Sequence, residues 1–185
     1  MERNSKHAKT TIEDFEILSR IGEGSFAQVF KGRRKIDKQI YALKKIKMIS
    51  LSEKDQVYAL NEVRILASYN GQNIIGFKEA FYDEMCGSLW IVLEFAEKGD
   101  LLERIVEAKK TKTTIEESEI WKACLHITKG LKSLHDKKIL HRDIKSANVF
   151  IMEDGTYKLG DLNVCKVLKN RMAKTHTGTP YYTSP

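Results

Sequence analysis

Two carboxylates and one amide lie near one another in the chain, in an arrangement that could hold a metal ion and move a proton. Asp143 and Asn148 lie in the segment His141-Arg142-Asp143-Ile144-Lys145-Ser146-Ala147-Asn148, and Asp161 follows in Gly160-Asp161-Leu162-Asn163. Mg²⁺ prefers oxygen ligands from one or two carboxylates together with phosphates, and a nearby carboxylate can accept a hydroxyl proton. These three residues are therefore candidates for metal binding and for general base chemistry.

A glycine-rich segment, Gly22-Glu23-Gly24-Ser25-Phe26-Ala27-Gln28-Val29, lies between two predicted strands. Glycines without a Cβ let backbone amides approach phosphate oxygens closely, so the segment is a candidate phosphate-binding hairpin. By itself the motif is weak, because most glycine-rich hairpins bind nothing. A dinucleotide-binding fold is excluded, since that fingerprint needs a helix after the glycines and a predicted strand, Val29 to Arg34, follows here.

Lys44 lies in the apolar strand segment Tyr41-Ala42-Leu43-Lys44, so its ammonium group must either reach solvent or meet a counter-charge. Glu62 on the following predicted helix can supply that charge, because helical spacing places it on one face with Ala59 and Leu66. The alternative interpretation is a surface lysine and a surface glutamate that do not meet.

The first hundred residues predict a five-stranded sheet with one helix, after a polar tail. The segment from Phe15 to Lys47 predicts three antiparallel strands, and Ile74 to Phe81 and Leu89 to Phe95 have the apolar character of buried strands. Between them, the capping box Ser50-Leu51-Ser52-Glu53 and apolar residues at helical spacing predict a helix from Ser52 to Ser68.

A different pattern begins at Thr114 and indicates a second lobe. The segment Thr114-Ile115-Glu116-Glu117 reads as a capping box for a long helix with one apolar face, made of Trp121, Cys124, Leu125, Thr128, Leu131 and His135. Further on, Asp154-Gly155 predicts a two-residue hairpin turn between the strand segments Val149 to Met152 and Tyr157 to Leu159.

Composition excludes several classes of protein. Of the 185 residues, 42% are apolar and 31% are charged, which is typical of a folded globular chain. The net charge of +7 is dispersed among acidic residues, so we expect no nucleic-acid partner. No apolar run is long enough for membrane insertion and no signal peptide is recognisable, which predicts an intracellular protein. Cys86, Cys124 and Cys165 are predicted to be free thiols.

In order and spacing, these motifs resemble the signature set of the protein kinases: glycine-rich loop, strand lysine, helix glutamate, catalytic loop and magnesium aspartate. The terminal Gly178-Thr179-Pro180-Tyr181-Tyr182-Thr183-Ser184-Pro185 is similar to the loop that docks peptides. Within that superfamily, the Tyr41–Ile46 and Leu60–Ser68 segments and the Gly160-Asp161-Leu162 variant resemble the NIMA-related serine/threonine kinases. The resemblance covers nearly everything from Asp14 to the end.

The resemblance implies an α+β, bilobal fold with ATP and Mg²⁺ as cofactors. The implied catalytic set has four residues: Asp143 as base, Lys145 at the transferring phosphoryl group, Lys44 at the α- and β-phosphates, and Glu62 paired with Lys44. Asn148 and Asp161 would bind Mg²⁺. The implied ATP-binding residues are Ile21, Gly22, Glu23, Gly24, Ser25, Phe26, Ala27, Val29, Ala42, Lys44, Leu93 as gatekeeper, and Glu94 and Ala96, which form the hinge with Phe95.

Three residues near the end of the chain have implied regulatory or docking roles. Thr179 would contact the substrate, and Thr175 would be an activating phosphosite, with Thr177 as the rival position. A phosphate at Thr175 could pair with Arg142 and order the loop.

The chain also departs from the family pattern. Ala27 replaces the third glycine of the loop, and Asn163 replaces the glycine that usually closes the magnesium motif. Asparagine tolerates a left-handed conformation, so we expect Asn163 to adopt a left-handed or otherwise turn-like conformation. We assign residues 1–14 to the tail, about 15–96 to the small lobe and about 97–185 to a large lobe that is incomplete. Its missing helices lead us to expect weak catalysis and self-association.

The leading functional hypothesis is a kinase that phosphorylates serine or threonine in proteins. The alternatives are a fragment that binds nucleotide or partners without turnover, and a small-molecule kinase of related fold, which the peptide-docking segment disfavours. The family resemblance suggests partners among microtubule, centrosome or cilium proteins, and a location in the cytoplasm, on the cytoskeleton or in the nucleus.

Overall fold

The computed structural model describes residues 9–24, 27–69, 71–161, 166–167 and 182, and of Tyr58, Glu62, Lys166 and Val167 it describes the backbone alone. The strands are β1 (Phe15–Glu23), β2 (Ala27–Arg34), β3 (Ile40–Lys47), β4 (Phe77–Asp83), β5 (Ser88–Glu94), β6 (Ile139–Leu140), β7 (Val149–Ile151), β8 (Tyr157–Leu159) and β9 (Lys166–Val167). The α-helices are α1 (Glu53–Ala67), α2 (Leu101–Thr111) and α3 (Glu117–Asp136). Short 3-10 turns cover Ile12–Asp14, Met48–Ser50 and Ser146–Asn148.

The first five strands form one antiparallel sheet in the order β1-β2-β3-β5-β4, which confirms the predicted five-stranded sheet. Side chains of successive strand residues point to opposite faces, so Tyr41 and Leu43 pack with Trp90 in one core. Ile46 and Ile91 join the other core, together with Leu66 of α1. By the same alternation, Ala42 and Lys44 lie on the side of the sheet that carries α1.

The predicted start of one strand and the predicted N-cap of one helix are wrong. Strand β4 begins at Phe77 rather than Ile74, because the preceding residues pair elsewhere: the Ile75 N–H donates to the Leu159 carbonyl oxygen at 2.8 Å. Helix α1 has the predicted extent, but its N-cap is Ser52, whose hydroxyl oxygen accepts from the Asp55 N–H at 3.3 Å. Ser50 lies instead in a 3-10 turn, so the predicted box based on it does not form.

Helix α2 was missed in the sequence. Its N-cap is Asp100, which accepts from the Glu103 N–H at 2.8 Å, while Glu103 accepts from the Asp100 N–H at 3.3 Å. This reciprocal capping box could have been recognised in the sequence as the pattern Asp-x-x-Glu at the start of an apolar run. The helix ends at Lys112, which has the left-handed backbone conformation, with φ 54°.

Helix α3 begins later than predicted and buries a different face. Its N-cap is Glu116, without a side-chain capping bond, so the predicted Thr114 box is wrong. The buried residues are Ala123, Gly130 and Leu134, whereas Trp121, Cys124, Leu125, Thr128 and His135 are exposed and Leu131 is half-buried. The close approach of α3 to Asn73 explains why this face of the helix is buried, because a Cβ at Gly130 would lie 2.6 Å from the Asn73 carbonyl oxygen. A small residue, Gly130, therefore faces inward at this contact, while the larger Leu134 is buried one turn further along the helix.

Strands β7 and β8 form the predicted hairpin, but its turn is longer than two residues. The Met152 N–H donates to the Thr156 carbonyl oxygen, and the Gly155 N–H donates to the Met152 carbonyl oxygen, each at 2.9 Å. Gly155 has φ +76° and Asp154 does not have positive φ, whereas the expected turn needs positive φ at both central residues.

Two further observations concern the described part of the chain. Cys86 and Cys124 are free and exposed, and Cys165 lies outside the described residues. None of the described helices has both the length and the apolar character required to span a bilayer.

Candidate active site

A cleft of about 830 Å³ lies between the sheet and the β7–β8 hairpin. Most of the predicted nucleotide-binding residues line it: Ile21, Gly22, Glu23, Gly24, Ala27, Val29, Ala42, Lys44, Leu93, Glu94, Phe95 and Ala96. Ser25 and Phe26 lie outside the described residues. The cleft wall also includes residues that sequence reasoning did not assign to it: Leu66, Ile75, Glu97, Lys98, Gly99, Asp100, Glu103, Ala147, Phe150 and Gly160.

The buried cation Lys44 meets a carboxylate from the other side of the cleft. Its Nζ lies 3.0 Å from Oδ1 of Asp161, and the lysine is 7% exposed. The sequence predicted that Lys44 either reaches solvent or meets a counter-charge, with Glu62 as the candidate partner. The Glu62 side chain lies outside the described part of the structure, so that pairing stays a prediction. Asp161 lies at the predicted metal-binding position and also serves as a partner of the lysine.

Asp143, Lys145 and Asn148 form a second polar group near the cleft. Lys145 Nζ lies 2.9 Å from Oδ2 of Asp143. The Asn148 side-chain NH₂ donates to the same Oδ2 at 3.0 Å and to the Asp143 carbonyl oxygen at 2.8 Å. Because these bonds use the amide nitrogen, the amide is oriented and its oxygen is the atom that could ligate a cation.

His141 links the catalytic loop to the segment that precedes Asp161. The ring is 1% exposed, its Nε2 lies 3.0 Å from the Gly160 carbonyl oxygen, and its Nδ1 accepts from the Asp143 N–H at 3.4 Å. Burial lowers the pKa of His141, against the opposing effect of the Gly160 carbonyl and the two aspartates. A neutral ring with its proton on Nε2 satisfies both bonds. The sequence motifs did not assign a role to His141.

Two site residues have unusual backbone conformations. Arg142 has φ 67° and Asp161 has φ 56°, both in the left-handed region that costs energy for residues other than glycine. Backbone strain of this kind is frequent at functional sites, although Lys38, Lys112 and Lys138, which do not line the cleft, also have positive φ. The left-handed conformation was expected for Asn163, which lies outside the described residues, as do Thr175, Thr177 and Thr179.

The Glu94 side chain makes two contacts that were not predicted from the sequence. Its Oε1 accepts from the Gly76 N–H at 2.6 Å and from Lys158 Nζ at 2.7 Å. The Glu94 N–H in turn donates to the Gly76 carbonyl oxygen at 2.9 Å. The end of β5 is thereby tied both to the loop before β4 and to β8.

The donor set fits a magnesium–nucleotide complex. A carboxylate and an amide oxygen, from Asp161 and Asn148, are hard oxygen donors that suit Mg²⁺ when phosphates complete the shell. The described residues contain no group of three or more His, Cys, Asp and Glu side chains that could hold a metal by themselves. Lys44 supplies a cation to the cleft, and the walls near Val29 and Ala42 are mainly apolar, a composition compatible with a phosphate group and a planar base.

Comparison with known proteins gives consistent matches. Residues 15–185 match the family model of the protein kinase domain. Over 94% of its length the chain is 40% identical to mouse serine/threonine-protein kinase Nek1, 37% identical to the probable serine/threonine-protein kinase nek2 of Dictyostelium discoideum, and 35% identical to mouse serine/threonine-protein kinase Nek2. The matches cover 14%, 43% and 41% of those proteins, so the chain spans less than half of each.

Proposed function

The chain belongs to the protein kinase domain family and is similar to the NIMA-related serine/threonine kinases, and we propose that it transfers the γ-phosphoryl group of ATP to serine or threonine residues of proteins. The proposal rests on the ion pair that Lys44 forms with Asp161 across the cleft. Nearby, short contacts join Asp143 to Lys145 and to Asn148.

The polar side chains of the cleft have separate roles in the reaction. Asp143 accepts the proton of the attacking hydroxyl group, whose oxygen forms the new bond to phosphorus while the bond to the ADP oxygen breaks. Lys145, 2.9 Å from Asp143, places a positive charge beside the transferring group. Lys44 binds the phosphates from the sheet side. Mg²⁺, which Asp161 and Asn148 would hold, would neutralise phosphate charge, so catalysis is mainly positioning and electrostatic stabilisation.

The nucleotide would lie with its base between the sheet and the hairpin. Val29 and Ala42 come from the sheet, and the backbone of Glu94 to Ala96 offers hydrogen-bonding groups at the edge of the cleft. The phosphates then extend toward Lys44 and the glycine-rich turn, where the Gly24 N–H donates to the Ala27 carbonyl oxygen at 2.8 Å.

A binding module without turnover is the second candidate. It is favoured by the exposure of apolar residues on α3, since Trp121 and Leu125 are 66% and 52% exposed. Such a surface suits contact with another protein. A small-molecule kinase is disfavoured, because the named relatives are serine/threonine-protein kinases.

Partners and location follow from the family resemblance alone. We propose protein substrates and, more narrowly, proteins of microtubules, centrosomes or cilia, with the chain acting in the cytoplasm, on the cytoskeleton or in the nucleus.

The test is phosphate transfer from ATP with Mg²⁺ to a generic serine- and threonine-containing peptide. Asp143→Asn should lower the rate about 10²- to 10⁴-fold, the usual contribution of general acid–base catalysis. Asp136→Asn is the matched control, because Asp136 is exposed and its ion pair with Lys132 lies within α3. Bound ATP with no transfer by the unaltered chain would favour the binding module, and equal transfer by both variants would contradict the assignment of Asp143.

A further inference from the structure

Glu119 of α3 lies between a tyrosine of β8 and an arginine of α2. The Tyr157 hydroxyl donates to Glu119 Oε1 at 2.8 Å, and Arg104 Nη2 lies 3.5 Å from Glu119 Oε2. One carboxylate therefore joins three elements of the structure, with a different oxygen turned to each neighbour. We call these three residues, Tyr157, Glu119 and Arg104, the α2 tether.

Tyr157 is the fixed end of the α2 tether. The residue is 2% exposed, its N–H donates to His126 Nδ1 at 3.1 Å, and its carbonyl oxygen accepts from the Asn73 side-chain NH₂ at 2.9 Å. Burial, followed by the hydrogen bond to Glu119, raises the pKa of Tyr157 to about 12, against the opposing charge of Arg104. The hydroxyl group is therefore protonated at neutral pH and acts as the donor to the carboxylate.

Helix α2 is the weakly packed end of the tether. All eleven of its residues are described, and of these Ala108 alone is buried, whereas Leu102, Ile105 and Val106 are exposed. Helices in proteins are stabilised mainly by the packing of an apolar face. Because α2 buries so little apolar surface, its orientation depends on polar contacts such as the ion pair of Arg104 with Glu119.

The N-terminal end of α2 forms part of the cleft wall. Asp100 and Glu103 line the cleft, and Arg104 directly follows Glu103. The segment before the helix is bonded to β7, since the Lys98 N–H donates to the Ile151 carbonyl oxygen at 3.1 Å. Such bonds fix where the helix begins, but its tilt needs a further contact inside the helix. The α2 tether supplies that contact.

We propose that the Tyr157 hydroxyl is a positioning group for the cleft, which sets the tilt of α2 through the tether and so preforms the wall made by Asp100 and Glu103. A wall that is already ordered costs less to order when a ligand binds, which raises affinity without a new contact to the ligand. Tyr157 itself does not line the cleft. The inference rests on the proposed function, because it takes a nucleotide as the ligand.

Binding of ADP with Mg²⁺ measures the effect on the cleft. Tyr157→Phe removes the hydroxyl and keeps the buried ring, and we expect it to weaken ADP binding about three- to tenfold, the size of effect known for residues that act without touching the ligand. Arg104→Met, at a half-exposed position that tolerates the change, should give a similar loss. The double variant should lose no more than either single variant, because both changes break the same tether.

Trp121→Phe is the matched control for the loss of an aromatic donor to a glutamate of α3. The Trp121 indole N–H donates to Glu117 Oε1 at 3.1 Å, a bond that lies within the helix and does not reach α2. This variant should bind ADP as tightly as the unaltered chain. Additive losses in the Tyr157→Phe, Arg104→Met double variant, or a loss in Trp121→Phe equal to that in Tyr157→Phe, would overturn the proposal.

Steady-state kinetics separate positioning from a mere loss of folded protein. Fewer folded molecules would lower the apparent kcat and leave the KM for ATP unchanged. A loosened wall should instead raise the KM for ATP and leave kcat within about twofold, because Asp143 and Lys145 are not part of the tether. A lower kcat at constant KM in Tyr157→Phe would reduce Tyr157 to a structural residue and overturn the positioning role.

Hydrogen exchange of the α2 amides tests the tether without any ligand. Exchange between Arg104 and Ala108 should be faster in Tyr157→Phe and in Arg104→Met, and unchanged in Trp121→Phe, because loosening of one helix is a local opening. Unchanged exchange in both tether variants would refute the tether. If the unaltered chain fails to bind ADP, the proposed function and the nucleotide part of the inference are contradicted, while the exchange data still decide whether Tyr157 holds α2.

Discussion

Lys44 of β3 and Asp161, which follows β8, form an ion pair of 3.0 Å in which the lysine side chain is nearly buried. The two residues are far apart in the chain and belong to the two sides of the cleft. Their contact therefore depends on the sheet and the hairpin being correctly placed against each other, and it brings a cation next to a candidate metal ligand.

Replacement of Lys44 tests the electrostatic role of this pair. Lys44→Met keeps the apolar stem and removes the charge, and we expect phosphate transfer to fall about 10²- to 10³-fold, as when one preorganised charge-stabilising group is lost. Steady-state kinetics with ATP and a peptide measure the effect. Lys132→Met is the control, because Lys132 is exposed and pairs within α3. Transfer by Lys44→Met at the rate of this control would refute the role.

The sheet could be predicted because its first three strands are rich in strand-forming residues and Ser88–Glu94 is almost continuously apolar and buried. Helix α2 was missed because Asp100 and Glu103 were not recognised as a capping box, although five of the eleven residues of the helix are apolar. The inward face of α3 was predicted wrongly for a different reason. Contact with Asn73 demands small residues such as Gly130, and hydrophobicity alone does not reveal how closely two elements approach.

The candidate site could be predicted where a motif fixes both residue type and order, as for Asp143 and Asn148. Contacts between residues that are distant in the sequence could not be predicted. The bonds from Gly76 and Lys158 to Glu94 join residues from three separate segments, and no local pattern marks them.

Lys112 at the end of α2 offers a stabilising substitution. It has φ 54°, a left-handed conformation that glycine adopts without the steric penalty of a Cβ. Lys112→Gly should therefore raise the free energy of unfolding by about 0.5–1 kcal/mol. Denaturant unfolding measures the change. Lys109→Gly, inside the last turn of the same helix, should instead lower stability by about 1 kcal/mol. The same sign for both variants would show that the left-handed conformation does not control the outcome.

His126 should make stability depend on pH. Its Nδ1 accepts from the Tyr157 N–H at 3.1 Å, and burial, followed by Lys122 and Lys129, lowers its pKa against the opposing charge of Asp154. Because the folded pKa is below the unfolded value of about 6.5, this contribution is fully present above about pH 6.5 and is lost as the pH falls from that value through the lower folded pKa. His141, whose pKa is also lowered by burial, acts in the same direction.

Unfolding between pH 7 and pH 5 tests this linkage. His126→Asn keeps an acceptor oxygen near the Tyr157 N–H but does not titrate, so the loss of stability on acidification should become smaller. One group can contribute at most about 1.4 kcal/mol per pH unit. An unchanged profile in His126→Asn would rule out the contribution of this residue.

The ion pair between Glu94 and Lys158 should matter far more for stability than an exposed pair. Lys158 Nζ lies 2.7 Å from Glu94 Oε1, and the two side chains are 17% and 21% exposed. Lys158→Met would leave the Glu94 carboxylate partly buried with the Gly76 N–H as its described partner, at a cost of about 1–3 kcal/mol in the free energy of unfolding.

The exposed pair between Lys132 and Asp136 gives the comparison, with side chains 73% and 61% exposed. Lys132→Met should change stability by about 0.5 kcal/mol or less, since solvent screens such pairs. Glu94→Gln combined with Lys158→Met should recover part of the loss, because the neutral amide oxygen can still accept from Gly76 while no charge is left buried. Equal losses for Lys158→Met and Lys132→Met, or no recovery in the double variant, would mean that the pair near the cleft contributes no more than a surface contact.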